Sequence, residues 1–334
     1  MTLISSIADA LASRRKSTVD EPLVSIVIPS YNHSRYIPAA VLSVMNQAFT
    51  NWELIIVDDG STDDSWSYLS TLADPRIVVL RQKNQGAHVT INRGLSLCRG
   101  EFLTILNSDD VYHPARLGTC VDLLRSSPSL DLVVTWIEIV DQDDVALGVK
   151  RAWQNCEPWP LSHRSTSFSV TDDFKGNLLQ ANFVATTSNI FMRRTVYESI
   201  GGMRKLRYAH DWDFLLRAAL SFGCHVIPEY LLKYRVHPTN TLKTGRAEML
   251  LEVCMLMAIF MPHYAAALHP GSINADRIWE FAQHMRSSFN FQENDDVFRS
   301  VLMLLRHPVY EANFGSSLLA DDTLRRHLAT LIKF

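Results

Sequence analysis

This chain predicts an α/β fold: a mostly parallel sheet flanked by helices, followed by a helical C-terminal region. Three observations lead there. Short β-branched runs alternate with helix-like segments from Leu23 to Trp136. Acidic pairs stand just after two of those runs, Asp58-Asp59 after Leu54 to Val57 and Asp109-Asp110 two residues past Phe102 to Leu106. Beyond about Arg246 the pattern is helical, with no strand signal. Strands buried on both faces of a parallel sheet read as near-continuous apolar runs, as these do.

The elements follow in order. The first strand spans Val24 to Ile28 and ends at Pro29; a helix-like segment runs from Tyr36 to Gln47. The second strand, Glu53 to Val57, is followed by Gly60 and by Ser61, Thr62 and Asp63, which supply turn and N-cap chemistry for a helix to about Leu72. A strand at Ile77 to Leu80 and a helix from Ala87 to Cys98 come next, and Arg99-Gly100 breaks that helix. The strand Phe102 to Leu106, a helix opened by Pro114 and the strand Leu132 to Trp136 complete the first half. Trp153 to Lys175 has little periodicity and reads as a long loop. Strands are predicted at Thr187 to Met192, Cys224 to Ile227 and Tyr230 to Val236, with a helix from Trp212 to Ser221. The expected division is a leader helix over 1–22, a catalytic unit over 23–240 and a helical region over 241–334. The catalytic unit splits into a nucleotide-binding half, 23–136, and an acceptor half, 137–240.

Bulk properties narrow the function. The 334 residues are 47% apolar and 20% charged with a net charge of -3, ordinary for a globular enzyme and without the basic field that holds nucleic acid. Five widely spaced cysteines with no CxxC pair favour a reducing, cytoplasmic setting. Leu3, Ile4, Ile7 and Leu11 form one face of the leader helix, which is expected to pack on the body; contact with the inner membrane surface is the alternative. The apolar segment Met249 to Met261 contains Glu252 and is too short to span a bilayer. It reads as core or as a homodimer face.

The acidic pairs carry the chemistry. Carboxylates at strand ends lie where an open α/β sheet binds its ligand. Asp58 and Asp59 can accept from a ribose hydroxyl or a base N–H, or can merely close an Asx turn. Asp109 and Asp110 offer the hard oxygens that Mg2+ or Mn2+ prefer. Gly86, opening a helix, could approach a phosphate. Arg235 and His237 share one face of a strand, where Arg could grip a diphosphate and a neutral imidazole could ligate the metal. Asp211 and Asp213 open a helix, where acids also complement the dipole. Trp153, Trp159 and His163 could stack on an acceptor sugar or simply anchor a loop.

Taken together, Pro29-Ser30-Tyr31-Asn32, Val57-Asp58-Asp59-Gly60-Ser61-Thr62-Asp63, Asn107-Ser108-Asp109-Asp110 and His210-Asp211-Trp212-Asp213 resemble the pattern of glycosyltransferase family 2, over roughly Leu23 to Asn240. The resemblance implies the GT-A fold and an inverting transfer of a sugar from a nucleotide diphosphate, UDP by default, to a hydroxyl. It implies that Asp59 contacts the uracil or ribose, with Pro29 and Tyr31 flanking the base. It implies that Asp109, with His237, holds Mn2+ or Mg2+, and that Asp211 is the general base, with Asp213 second. Two positions depart from the family: Asn107 where Asp is usual and His210 where Glu is usual. The Gln-x-x-Arg-Trp motif of processive synthases is absent, which points to transfer of one or a few sugars, as in bacterial surface polysaccharide assembly on a glycan or lipid-linked oligosaccharide. A catalytically silent nucleotide-sugar-binding module is the first alternative. A sugar-phosphate nucleotidyltransferase is the second, disfavoured by the glycine-free turn Pro29 to His33.

Overall fold

The computed structural model describes residues 22–154, 173–240, 245–268, 294–305, 307 and 315–333. Residues 1–21 of the leader expected over 1–22, with Leu3, Ile4, Ile7 and Leu11, the residues Trp159 and His163, and part of the loop after Pro238 lie outside them.

Nine strands form one sheet: β1 (Val24–Ser30), β2 (Trp52–Asp58), β3 (Ile77–Arg81), β4 (Phe102–Ile105), β5 (Val111–Tyr112), β6 (Leu132–Val140), β7 (Ala146–Lys150), β8 (Phe191–Arg193) and β9 (Cys224–Arg235). Their order is β3-β2-β1-β4-β8-β6-β9-β5, with β7 paired to β6. The run β3-β2-β1-β4 is parallel, as predicted. Alternate residues of its strands face two cores. Val24, Ile26 and Ile28 of β1 and Leu54 and Ile56 of β2 pack with the helices Ile37–Met45 and Arg116–Ser126. Val27, Ile55 and Val57 face the helix Ala87–Leu95 instead. Both faces are therefore dry, which is why these strands lack an alternating polar pattern.

Beyond β4 the sheet is mixed. β8 is antiparallel to both β4 and β6. Only Phe191–Arg193 of the strand predicted over Thr187 to Met192 is extended; Thr187–Asn189 is a 3-10 turn. The Thr186 hydroxyl caps the Ser188 N–H, and the Asn189 amide replaces a strand by bonding both the N–H and the C=O of Thr135. The two strands predicted around Pro228 are one, β9, parallel to β6. Pro228 has no N–H to give the ladder, and the register slips there: Thr135 pairs with Ile227 but Trp136 with Tyr230. The hairpin β6–β7 and the helices Phe174–Gln180 and Arg194–Ile200 were not predicted.

No strand follows β9 among the described residues, in keeping with the helical C-terminal region expected from the sequence. The helix Arg246–Leu268 extends past the predicted apolar segment and is long and apolar enough to cross a bilayer. In this fold it is buried, among the helices Phe174–Gln180, His210–Ser221 and Asp295–Leu304. Its residues and those of β1, β4 and β6 share one continuous core.

Candidate active site

β1 lies between β2 and β4, so Asp58, Tyr31 and Asn107 to Asp110 emerge side by side at one edge of the sheet. The loops there are stapled to one another. Asn32, at φ 52°, accepts from the Thr62 N–H at 2.7 Å while its own N–H donates to Ser61 Oγ. Asp63 accepts the Ser34 N–H at 2.8 Å. Pro29 sits in β1 opposite Val57, and Tyr31, just past the strand, exposes 44% of its surface.

The two acids after β2 do different work. Asp59 is buried, and its carboxylate accepts from Gln82 Nε2 at 2.7 Å and from the N–H groups of Gln85 and Gly86 at 2.9 Å. It fixes the turn at Gly86, whose φ of 89° starts the helix Ala87–Leu95. Asp59 thus holds the loop before this helix in place. Asp58 Oδ2 accepts from the Ser61 N–H and pairs with the Arg81 guanidinium at 3.1 Å, but its Oδ1 is buried and has no partner among the described residues. Ser30 Oγ, on the residue paired with Asp58 across β1 and β2, is also buried and unpaired. Such orphaned groups are rare and costly unless a ligand or water meets them.

A second cluster forms where three strand ends converge. Asp109 Oδ2 and His237 Nε2 are 3.0 Å apart. One ligand atom from each of His33, Asp109 and His237 lies within 4.8 Å of the others. Burial would raise the Asp109 carboxyl, but the hydrogen bond from His237 and the charges of His33 and His237 outweigh it and hold the group below its usual range. An ionised carboxylate with two imidazoles is a donor set that fits a divalent cation.

The neighbours of this cluster are structural. Asp110 is buried and accepts from Ser188 Oγ at 2.5 Å and the Arg235 N–H at 3.0 Å. Burial, then the charge of Asp109, push its carboxyl up to about 8. The Asn107 amide donates to Thr186 Oγ1, and its N–H to Ser188 Oγ. Arg235 was expected to grip the diphosphate. Its guanidinium is instead buried and donates to the carbonyls of Asp109 and Asp141 at 3.0 Å and to Asp144 at 2.7 Å.

The helix His210–Ser221 carries the third group. Asp211 accepts from the Trp212 N–H and from Asn182 Nδ2 at 3.3 Å. Asp213 is fully buried between Arg204 and Arg217, so the second-choice base is an ion-pair residue. The segment 182–189 joins the two halves. Asn182 reaches Asp211, Thr187 reaches His210 at 3.3 Å, and Thr186 and Ser188 reach Asn107 and Asp110. The Tyr234 phenol, driven up mainly by burial, also feels Asp110, Asp109 and Asp211.

The pattern of Glycosyl transferase family 2 matches residues 25–201, more than half of the chain. The chain belongs to that family. This glycosyltransferase is 26% identical over 238 residues to an uncharacterized glycosyltransferase, RP339, of Rickettsia prowazekii (strain Madrid E), covering 69% of each chain. It is 37% identical over 158 residues to the chondroitin synthase of Escherichia coli, covering 46% of this chain but only 22% of that longer protein. Its fold is shared with S. aureus TarS 1-349 in complex with UDP-GlcNAc, at a TM-score of 0.56 and 16% identity over 90% of this chain and 89% of that one. It is also shared with the mannosyltransferase PcManGT of Pyrobaculum calidifontis in complex with GDP-Man and Mn2+, at a TM-score of 0.50 and 16% identity over 97% and 92%.

Three features of this glycosyltransferase site carry no motif in the sequence. His33 belongs to the turn Pro29 to His33, yet it stands beside Asp109 and His237. Asn182 and the run Thr186-Thr187-Ser188 lay in a stretch with no recognised motif, although three successive hydroxyls beside a strand are a signal for side-chain capping.

Proposed function

We propose that this glycosyltransferase is metal-dependent and inverting, moving a sugar from a nucleotide diphosphate donor, a UDP-sugar by family likeness, to a hydroxyl of a glycan or lipid-linked oligosaccharide. The observation that carries the reading is the Asp109–His237 pair at 3.0 Å, with Asp109 held ionised, on the sheet edge that also carries the orphaned Asp58 oxygen. A bound Mn2+ or Mg2+ would offset the charge that grows on the departing diphosphate.

The residues divide the remaining work. Asp58 Oδ1 takes a base N–H or ribose hydroxyl, and the exposed Tyr31 ring offers a face for the base. Asp211, held by Asn182 at the start of its helix, accepts the proton of the attacking hydroxyl. Attack opposite the leaving group inverts the anomeric centre in one displacement. Catalysis belongs to 23–240, and the helices Arg246–Leu268, Asp295–Leu304 and Asp322–Ala329 of the region 241–334 add to the core that the base-bearing helix shares. A cytoplasmic setting, with the acceptor met at the inner membrane face, suits a donor made in the cytosol. The E. coli relative, a chondroitin synthase, supports a place in bacterial surface polysaccharide assembly.

A panel of nucleotide sugars is screened by thermal shift with and without Mn2+, and donors that raise the melting temperature are followed for hydrolysis and transfer. UDP-sugars are expected to stabilise the fold in a metal-assisted way, and Asp211→Asn to bind donor without turning it over. Donor binding without any turnover by the wild-type chain would favour the silent module instead.

A further inference from the structure

We infer that the metal position is a two-histidine, one-carboxylate site in which His33 is the third protein ligand, and that its two nitrogen donors favour a first-row transition ion over Mg2+. This rests on the metal-dependent reading above and adds to it a ligand and a choice of ion.

Each ligand comes from a different strand end: His33 follows β1, Asp109 follows β4 and His237 follows β9. One ligand atom from each falls within 4.8 Å of the others, so a small inward movement of the side chains would bring all three onto one ion. The two imidazoles meet edge to face, with ring centres 5.4 Å apart and planes at 90°, so neither ring stacks over the other's nitrogens.

The surroundings of each ring are those of a ligand. Metal-bound histidines usually engage their second nitrogen with a neighbouring group, which fixes the tautomer and the ring orientation. His33 Nδ1 is 2.7 Å from Ser108 Oγ, and His237 Nδ1 is 2.8 Å from Thr239 Oγ1. When each Nδ1–H donates to its hydroxyl, and the ion takes the place of the proton between His237 Nε2 and Asp109, both Nε2 lone pairs are left for the ion. His237 Nε2 faces Asp109, and His33 Nε2 carries no hydrogen bond among the described residues. The Tyr36 ring covers His237 at 4.8 Å and limits ring rotation. A histidine present only for packing would need none of this.

The donor set then decides the ion. Mg2+ favours oxygen ligands in a near-ideal octahedron and gives up its waters reluctantly. Imidazole nitrogen suits the later divalent ions, and two imidazoles with one carboxylate form a facial set that leaves positions open for other ligands. Those open positions are where the two phosphates of a donor would bind.

The test uses Mn2+ itself as the probe, with the full chain and UDP present. Electron spin echo spectroscopy of bound Mn2+ is expected to show nitrogen couplings from two imidazoles in the wild type and from one in His33→Gln. Mn2+ affinity is expected to fall at least about tenfold in His33→Gln, and His33→Asp to shift preference toward Mg2+ in competition. Unchanged circular dichroism confirms that the variants fold. Wild-type protein grown on 15N-histidine reports nitrogen ligation without any substitution. If Mn2+ binds and its nitrogen couplings survive His33→Gln intact, His33 is not a ligand, while Asp109 and His237 keep their role. If the wild-type chain binds no Mn2+ with UDP present, the metal-dependent reading falls and this inference with it.

Discussion

The Glu252 carboxylate meets the Arg325 guanidinium at 2.6 Å and at the same time accepts the backbone N–H groups of Arg207, Tyr208 and Ala209 at 2.8 to 3.0 Å. These three residues lead directly into the helix that carries Asp211. A fully buried acid in a largely apolar helix thus ties the C-terminal helices to the candidate base. Desolvating a carboxylate is costly, and here three N–H donors and a cation offset that cost.

Removing this acid should therefore damage more than local packing. Glu252→Ala leaves three N–H groups and a guanidinium without their partner, and a loss of about 3–5 kcal/mol is expected. Glu252→Gln keeps the size and one acceptor oxygen and should lose less. Urea unfolding measures both. A Glu252→Ala chain as stable as wild type would show that the loop finds other partners.

Asp211 and Asp213 should separate cleanly. Asp213 is buried between two arginines, so Asp213→Asn is expected to lower stability by about 3 kcal/mol. Asp211 makes only two hydrogen bonds, so Asp211→Asn should move the melting temperature little while cutting transfer by about 100-fold or more. Melting curves and turnover, taken on the same samples, decide. The reverse pattern would make Asp213 the base.

How much of this was legible follows from where each signal resides. The parallel half of the sheet was readable because strands buried on both faces form apolar runs closed by turn residues, as at Val57-Asp58-Asp59-Gly60. The acidic pairs could be placed at the sheet edge, but not told apart. Asp58 and Asp59 look alike in sequence, and only the fold brings Gln82, Gln85 and Gly86 onto Asp59. Strand alternation put Arg235 and His237 on one face, yet β9 ends at Arg235 and the alternation ends with it. His33 was missed because its neighbours lie 76 and 204 positions away, at Asp109 and His237, and no local pattern encodes that meeting.

Gly60 should resist substitution for two separate reasons. Its φ of 77° disfavours any side chain, and a Cβ there would lie 3.0 Å from both Gln82 O and Asn84 N. Gly60→Ala is expected to cost about 1–3 kcal/mol. It should also weaken donor binding, because the loop that must shift is the one Asp59 holds. Unfolding and nucleotide titration test the two effects separately.

Asp63 gives the site a pH dependence with a definite sign. Burial raises its carboxyl, but hydrogen bonds from Ser65 and Ser34 outweigh that and lower it from the ordinary 3.8. A group with a depressed pKa stabilises the fold above its unfolded value and loses that contribution as the pH falls through the folded value. The ionised carboxylate joins the turn after β1, through the Ser34 N–H at 2.8 Å, to the turn after β2, through the Ser65 N–H at 3.0 Å. Asp63→Asn should thus be less stable than wild type by about 1 kcal/mol at neutral pH. The gap should narrow below about pH 4 as the wild-type carboxylate takes up its proton. Urea midpoints for both chains across that range measure it. A gap that stays constant with pH would show that the charge on Asp63 contributes nothing to joining the two turns.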